Sequence, residues 1–236
     1  MEFSGTFELD DTTVDEVWLA LSDPAMIRSS LPGCEFLYHV EDDDPDFDAL
    51  RERAGSEEQP EPTADPDVIT ERAFVEGGRY AALVQIGVGA VKPTFETVVT
   101  IDRREKPEMD ASGEGSAGDS SFEMSSWMGL EATDDGGVAV DWRAEADVFG
   151  RIANMGQRVI NPVANRVVKR FFSSIQTNLE ELTIEAEAES THDQEDAPAD
   201  TAPSGNEDSV VEESGDDSQR GGLLSRLLGR IRGIFG

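Results

Sequence analysis

Three glycines in this chain are spaced as in a nucleotide-binding motif. Gly113, Gly115 and Gly118 spell G-x-G-x-x-G, which can hold a dinucleotide pyrophosphate where a strand leads into a helix. Residues 120–130, which follow the glycines, alternate apolar and polar side chains as a strand does. A helix is therefore not expected there, and we interpret the motif as a hairpin turn that binds no nucleotide.

Four aspartates follow one another at the spacing of a calcium-binding loop: Asp42, Asp44, Asp46 and Asp48. Such a loop needs glycine at its sixth position and glutamate at its twelfth. The chain has Phe47 and Arg53 at these positions. We interpret the stretch as a solvated acidic loop and predict no metal site in it.

Nucleophilic and zinc-binding residues are scarce. Cys34 is the only cysteine, and His39 and His192 are the only histidines. His39 is five residues beyond Cys34 and is expected on the opposite face of the same strand. No internal disulfide, ordinary zinc site or cysteine–histidine pair can form from this set. We predict that Cys34 is a semi-buried packing residue and that the chain has no catalytic residue.

The composition is strongly acidic. The formal net charge is −32, from 51 acidic and 19 basic residues, and only three of the basic residues are lysines. Salt would have to screen the self-repulsion of such a chain. This composition predicts the molar-salt cytoplasm of a halophilic archaeon. No signal peptide precedes Phe3, and no basic patch occurs before the last residues, so we expect a cytoplasmic protein that binds no nucleic acid.

The C-terminal residues 221–236 form an amphipathic pattern. Three arginines lie opposite an apolar arc of about 140°. The apolar residues are Leu223, Leu224, Leu227, Leu228, Ile231, Ile234 and Phe235, and the basic ones are Arg226, Arg230 and Arg232. A span needs about 20 apolar residues, so this tail is predicted to lie in the membrane interface, on the inner face of the cell membrane. The alternatives are docking in a partner's groove or on the protein's own core.

Composition divides the chain into three regions. Residues 1–183 have globular composition apart from an acidic insert at about 41–66. Residues 184–220 contain thirteen acidic residues and few large apolar ones, which predicts a disordered linker. Residues 221–236 are the tail.

Within residues 1–183, periodicity predicts mainly strands. A first strand through Phe3 and Phe7 is followed by two short helices, the second at about 24–30. Further strands are predicted from Phe36 to Val40 and at about 68–76, 79–89, 93–104, 108–116, 120–132 and 137–148. Their one-sided alternation indicates an antiparallel sheet with one face covered.

A long helix over 151–182 is predicted to cover the sheet, with a kink at Pro162. Its apolar stripe runs through Ile152, Met155, Val159, Val163, Val167, Phe171, Ile175 and Leu179. The predicted fold class is α+β, a helix-grip architecture. In it a curved antiparallel sheet of about seven strands surrounds a long C-terminal helix, and two short helices follow the first strand.

Several motifs together carry a resemblance to a known family. The chain resembles the START-like (SRPBCC, Bet v 1-like) superfamily in five places. These are the opening MEFSGTFEL, the segments Val17–Glu35, Gly87–Ile101 and Ser112–Glu131, and the closing helix from Gly150. Within it they are most similar to the carbon monoxide dehydrogenase CoxG family. The resemblance covers about residues 1–180, whereas the insert and the long acidic linker depart from the family pattern.

The resemblance implies a non-catalytic accessory protein for molybdenum hydroxylases of the carbon monoxide dehydrogenase type. Such a protein would help bring the enzyme to the membrane and hold a lipophilic electron acceptor, here menaquinone or another isoprenoid lipid. One alternative is a ligand-free adaptor that recruits the same class of enzyme. A third is a START-like cyclase or hydrolase. The sequence does not indicate an oligomeric state.

The ligand is expected between the sheet and the long helix. The candidate pocket residues are mostly apolar, and flexible methionines suit an adaptable pocket. They are Trp18, Leu31, Phe95, Val99, Phe122, Met124, Met128, Trp142, Ile152, Met155 and Val159. The resemblance also places the turn Leu31, Pro32 and Gly33 near the mouth as a gate. An ordinary packed core without a cavity is the alternative interpretation.

Overall fold

The computed structural model describes residues 1–88 and 90–192, and only the backbone of residues 184–192. The predicted membrane-binding tail, 221–236, and the linker beyond 192 lie outside the described residues. Within the described part, no helix is long and apolar enough to cross a membrane.

Seven antiparallel strands form one curved sheet in the order β1-β7-β6-β5-β4-β3-β2. They are β1 (Glu2–Leu9), β2 (Cys34–Val40), β3 (Arg79–Gln85), β4 (Thr94–Glu105), β5 (Glu108–Ala117), β6 (Ser120–Ala132) and β7 (Val138–Phe149). Consecutive strands from β2 to β7 are neighbours, and β1 pairs with β7. The predicted helix-grip fold class is confirmed.

Six helices accompany the sheet in the described residues. They are α1 (Val14–Ser22), α2 (Pro24–Ser30), α3 (Phe47–Ser56), α4 (Pro66–Arg72), α5 (Gly150–Ala153) and α6 (Gln157–His192). The two short helices predicted after the first strand are present. Thr13 and Glu16 begin α1 with a reciprocal capping box, and the buried carboxylate of Asp23 caps α2.

The long helix predicted over 151–182 is in fact two helices, α5 and α6. Residues 154–156 interrupt them, and Gly156 adopts a φ of +75°, a conformation that glycine adopts without strain. Pro162 lies inside α6, so the break falls earlier than the predicted kink. The helix also continues to His192, into the segment predicted as linker, because alternating alanine and glutamate favour helix.

The insert predicted as an acidic loop at 41–66 contains helix. Asp46 and Asp65 accept hydrogen bonds from backbone amides in the first turns of α3 and α4, respectively. The strand predicted at 68–76 is wrong, because α4 occupies Pro66–Arg72 and a loop leads from it into β3. The proline at the start of α4 and its aspartate cap outweigh the short apolar alternation of this stretch.

Helix α3 covers the outer face of the sheet at its β2–β3 edge. Its apolar residues pack on the cluster formed by Phe36, Tyr38 and Leu83. The helix residues concerned are Phe47, Leu50 and Ala54. Arg51 adds an ion pair with Glu96 of β4. The insert therefore covers the outer face of the sheet beside its edge strand β2.

The opposite, inner face of the sheet is apolar and faces α6. Strand register places these residues on it: Phe3, Gly5, Phe7 and Leu9; Tyr80, Ala82 and Val84; Phe95, Thr97, Val99 and Ile101; Met109, Ala111, Gly113 and Gly115; Phe122, Met124, Ser126, Met128 and Leu130; and Val138, Val140, Trp142, Ala144, Ala146 and Val148. We call this set the inner face. It provides the surface on which a core or a ligand can pack.

One end of the inner face is a closed core. Leu9, Ile101, Leu130 and Val138 are all buried there. They form one cluster with residues of α1, α2 and the second half of α6, including Phe172 and Ile175. We call this the closed end, and the opposite end, at Phe95, Phe122 and Val148, the open end.

Polar contacts fix the second half of α6 at the closed end. The side-chain amide of Asn178 donates to the buried Ser30 hydroxyl of α2 at 2.9 Å. The carbonyl oxygen of the Gln176 side chain accepts from the backbone amide of Asp10 at 3.0 Å. Because these contacts all lie beyond residue 170, they hold this half of the helix in place.

We predict that Asp23→Ala strongly destabilises the fold. Asp23 is 1% exposed, pairs with Arg72 at 2.7 Å, and caps α2 at Ala25. Breaking a buried pair on one side costs about 3–5 kcal/mol. Denaturant unfolding should show this loss. The exposed pair of Asp48 with Arg51 provides the control, since Asp48→Ala should cost under about 1 kcal/mol. Equal losses in the two variants would contradict the assignment.

Candidate functional site

The open end of the inner face is apolar but only partly covered. Phe122, Met124 and Val148 are half-buried there, in contrast to the buried residues of the closed end. The side chain of Phe95 is buried and meets Phe122 edge to face, with ring centroids 5.4 Å apart. Six of the predicted pocket residues share the inner face: Phe95, Val99, Phe122, Met124, Met128 and Trp142.

Three further candidates lie where the chain leaves β7. Ile152 of α5 is buried, whereas Met155 and Val159 are half-buried. The amide of Ile152 donates to the Ser120 hydroxyl at 3.2 Å, which ties α5 to the start of β6. Gly150 is required there, because its φ is +74° and a Cβ would lie 1.9 Å from the carbonyl oxygen of Asp119. These contacts place the three residues at the open end.

A polar residue, Asn161, lies on the sheet-facing stripe of the first half of α6. Asn161 precedes Phe172 and Ile175 by eleven and fourteen residues, so helical geometry puts all three on one face. The side-chain oxygen Oδ1 of Asn161 is shielded from solvent and accepts no hydrogen bond. Buried polar atoms normally have partners. Asn161 was not among the predicted pocket residues, although its place on an apolar helix face was a usable signal.

Trp18, Met128 and Trp142 belong to the packed cluster of the closed end. The guanidinium of Arg104 lies 5.2 Å from the centre of the Trp18 ring. Burial lowers the pKa of Arg104, and its Nε has no hydrogen-bond partner in the described residues. Trp18 is thus part of the closed core beside a half-buried cation, away from the half-covered residues of the open end.

The predicted gate lies at the same end of the sheet as the half-covered residues. Leu31 caps the C-terminus of α2, and Gly33, with φ +81°, leads into β2. A Cβ on Gly33 would lie 2.1 Å from the carbonyl oxygen of Gln85, so only glycine fits. The backbone amide of Gln85 donates to the Gly33 carbonyl at 2.8 Å, which fixes this turn against the end of β3.

The glycine motif lies in the hairpin of β5 and β6, as predicted. Gly118 makes the turn between β5 and β6 with φ +62°. Gly113 and Gly115 lie within β5 on the inner face, where a Cβ on Gly115 would lie 2.6 Å from the Phe122 ring. Because glycine has no Cβ, there is space for the Phe122 ring on the inner face.

The aspartates at calcium-loop spacing have structural partners. Asp46 caps α3, and Asp48 pairs with Arg51. In residues 1–88 and 90–192, no group of three or more histidine, cysteine or acidic side chains is arranged to hold a metal ion.

Cys34 begins β2 and is half-buried, with its Sγ 3.3 Å from the carbonyl oxygen of Phe36. Burial raises the pKa of the Cys34 thiol to about 11, since removal from water disfavours the thiolate. The thiol is therefore protonated at neutral pH and is a poor nucleophile.

We predict that Cys34 reacts slowly with thiol reagents in the folded protein. A thiol of ordinary pKa, about 8.5, is roughly a quarter ionised at pH 8. Raising that pKa to about 11 lowers the thiolate fraction about 200-fold, and the labelling rate falls with it, in part offset by the higher nucleophilicity of a more basic thiolate. The folded-state rate should rise tenfold per pH unit up to about pH 10, and unfolding in urea at pH 8 should restore fast labelling. Fast labelling of folded protein at pH 8 would contradict this assignment.

Comparison with known proteins supports this fold. Residues 72–180 match the sequence model of the family described as the CoxG subunit of carbon monoxide dehydrogenase. A conserved protein from Geobacillus kaustophilus is similar in structure, with a TM-score of 0.58 and 22% identity, over 77% of this chain and 96% of that chain. At this identity the similarity shows the fold alone.

Two other solved structures are more distant. A START superfamily protein from Mycobacterium smegmatis has a TM-score of 0.48 and 8% identity, over 77% of this chain and 98% of that one. The Zhui aromatase/cyclase from a Streptomyces species has a TM-score of 0.47 and 10% identity, over 76% of this chain and 93% of that chain. Comparison with curated proteins finds no match.

Proposed function

We propose that this protein is a non-catalytic accessory protein that binds a lipophilic ligand on the open end of its inner face. The ligand class is an isoprenoid quinone, with menaquinone as the expected member. The protein would serve a molybdenum hydroxylase of the carbon monoxide dehydrogenase type at the inner face of the cell membrane. The match of residues 72–180 to the CoxG family supports the choice of partner enzyme.

One observation carries the ligand proposal. The inner face continues as an apolar surface past the closed core, yet Phe122 and Met124 at its open end are only half-buried, as are Met155 and Val159 in the segment that follows β7. Exposed apolar surface is unfavourable by about 25 cal/mol per Å². A lipophilic molecule that lies between the sheet and the first half of α6 would remove this surface from water.

Asn161 gives the apolar surface one polar anchor. Its Oδ1 is buried and without a partner, and a side-chain amide carries two donor hydrogens as well. A quinone carbonyl can accept from this amide, and a quinol hydroxyl can donate to it. An apolar pocket with one or a few convergent polar groups is the usual composition of a small-molecule site.

The C-terminal sequence supports the membrane part of the proposal. Arranged as a helix, residues 221–236 would have one apolar and one cationic face, and the acidic segment before them would let the folded domain reach away from the membrane surface. In molar salt, attraction between the arginines and anionic lipids would be weak. Apolar burial would then provide most of the affinity.

A second candidate function is a ligand-free adaptor that brings the same enzyme to the membrane. Trp18, Met128 and Trp142, three of the predicted pocket residues, lie in the packed cluster of the closed end. That packing favours a solid interior over a deep cavity. The two candidates differ in whether the open end of the inner face binds a ligand.

A titration with menadione, a soluble naphthoquinone without an isoprenoid chain, tests the ligand proposal. Naphthoquinones quench tryptophan fluorescence, so the full chain can be titrated directly, with Trp127→Phe removing the tryptophan on the outer face of β6. The expected result is saturable quenching at one site. Quenching that only rises linearly, as for free tryptophan, would favour the adaptor.

Asn161→Leu separates ligand anchoring from a structural role. Removing an unpaired buried acceptor should leave the protein as stable as before or more stable. Loss of the anchor should weaken menadione binding by about tenfold, the effect of a hydrogen bond worth about 1.4 kcal/mol. A variant that loses stability and binds menadione unchanged would contradict the anchor.

A further inference from the structure

A pocket lies at the free edge of β2, the strand at the opposite end of the sheet from β1. It has a volume of about 540 Å³ and lies between α2, the edge of β2 and the segment 59–73 of the insert. We call it the edge pocket. None of the residues predicted to bind the lipophilic ligand lines it.

Three arginines line the edge pocket: Arg28, Arg53 and Arg72. Arg53 pairs with Glu57 and Arg72 pairs with Asp23, which leaves Arg28 as the arginine of the pocket without an ion pair in the described residues. Arg28 donates to the carbonyl oxygen of Pro60 at 3.0 Å. Among the described residues, no carboxylate lies within ion-pair distance of Arg28, so its charge is available to a ligand.

Three residues that line the same pocket each carry a polar side-chain atom without a hydrogen-bond partner. Tyr38 is only 9% exposed, and its hydroxyl has no hydrogen-bond partner. The side-chain oxygen of Gln59 and the Nε of Arg72 are likewise buried and unpaired in the described structure. Buried polar atoms without partners are rare in native proteins. The presence of three such residues around one pocket supports a polar ligand there.

The remaining walls are apolar. Leu37, Ala73 and the ring of Tyr80 line the space beside the arginines. Burial raises the pKa of the Tyr38 phenol, so its hydroxyl keeps its proton and can donate. The pocket therefore offers cationic and hydroxyl donors to the polar group of a small ligand, and an apolar surface to the rest of that ligand.

We propose that the edge pocket binds a small organic anion with an aromatic or aliphatic body. Its carboxylate or phosphate is held by the Arg28 guanidinium, the Nε–H of Arg72 and the Tyr38 hydroxyl, and its apolar body packs on Leu37. Guanidinium groups pair well with both anion types because their donors match carboxylate and phosphate geometry. This site is separate from the open end of the inner face.

The test is a titration of the full chain with benzoate and phenyl phosphate, with benzyl alcohol as the uncharged counterpart, followed by calorimetry or NMR. At least one anion should saturate the site and bind at least tenfold more tightly than benzyl alcohol. The preferred anion identifies the headgroup. Failure of both anions to saturate, or equal binding of the alcohol, would overturn the proposal.

Variants locate the binding. Arg28→Gln should weaken the preferred anion at least tenfold, and Tyr38→Phe, which removes only the hydroxyl, should weaken it several-fold. Arg51→Gln is the matched control, since Arg51 is on α3 but pairs with Glu96 outside the pocket. If the Arg28→Gln variant does not fold, the affinity of the Tyr38→Phe variant for the preferred anion still tests the site. Unchanged affinity in the folded pocket variants, or an equal loss in Arg51→Gln, would overturn the site.

Discussion

Met124→Glu is expected to weaken menadione binding at least tenfold, whereas Ser125→Glu should leave it unchanged. Met124 lies half-buried on the inner face, and its neighbour Ser125 is exposed on the outer face of the same strand. A carboxylate at position 124 would have to lose water when an apolar ligand covers it, which costs several kcal/mol, or would have to take up a proton. Fluorescence titration gives both affinities.

The pair of variants controls for charge and for strand position. Both add one carboxylate to β6, so a general effect of charge on the chain would appear in both. Thermal unfolding establishes that each variant is folded before titration. Equal affinity in the two folded variants would mean that the inner face is not where the ligand binds.

A chain that ends at Arg220 is expected to lose vesicle binding entirely. The full chain should float with anionic phospholipid vesicles in molar KCl, because the apolar arc of residues 221–236 would insert into the interface. The truncated chain lacks this arc and should remain in the dense fractions. Density-gradient centrifugation with immunodetection of each fraction gives the partition.

A double substitution tests whether the apolar arc itself is responsible. Leu227→Glu with Ile231→Glu places two charges in the arc, and Ser225→Glu with Gly229→Glu places two on the polar side. The first pair should abolish flotation and the second should retain it. If both pairs float equally with vesicles, or if the truncated chain floats, the tail is not a membrane anchor.

The strands of the sheet were predictable because each has one covered face. In β7 every second residue from Val138 to Val148 is apolar, and β4 and β6 have shorter runs of the same kind. The predicted bounds of these three strands agree with the observed ones to within one residue. The strand predicted at 68–76 failed because its alternation was short. The Asp65 cap and Pro66 begin a helix there instead.

The interruption before α6 could not be located from periodicity. The apolar stripe passes through Met155 and Val159 without a gap, and Pro162 was the stronger local signal. The left-handed conformation of Gly156 depends on where β7 ends relative to the start of α6, which is a tertiary effect. Helix α3 was missed for a similar reason: its few apolar residues are stabilised by packing on the outer face of β2 and β3, which the local sequence does not show.

The candidate site was only partly predictable. Alternation identified which sheet residues face inward, so Phe95, Phe122 and Met124 were found together. Sequence could not show that Trp18 lies in a closed core, since that depends on how α1 and α2 pack. The sequence places Asn161 on an apolar helix face, but only the three-dimensional structure shows that its side-chain oxygen is unpaired and that the edge pocket exists.

The most direct measurement is mass spectrometry of an organic extract from the full chain, purified in high salt without detergent. The proposed function predicts a stoichiometric isoprenoid quinone in the extract, and its near-absence from the Met124→Glu variant purified in parallel. An extract without quinone or other isoprenoid, from protein that still floats with vesicles, would contradict ligand binding and leave the adaptor as the function.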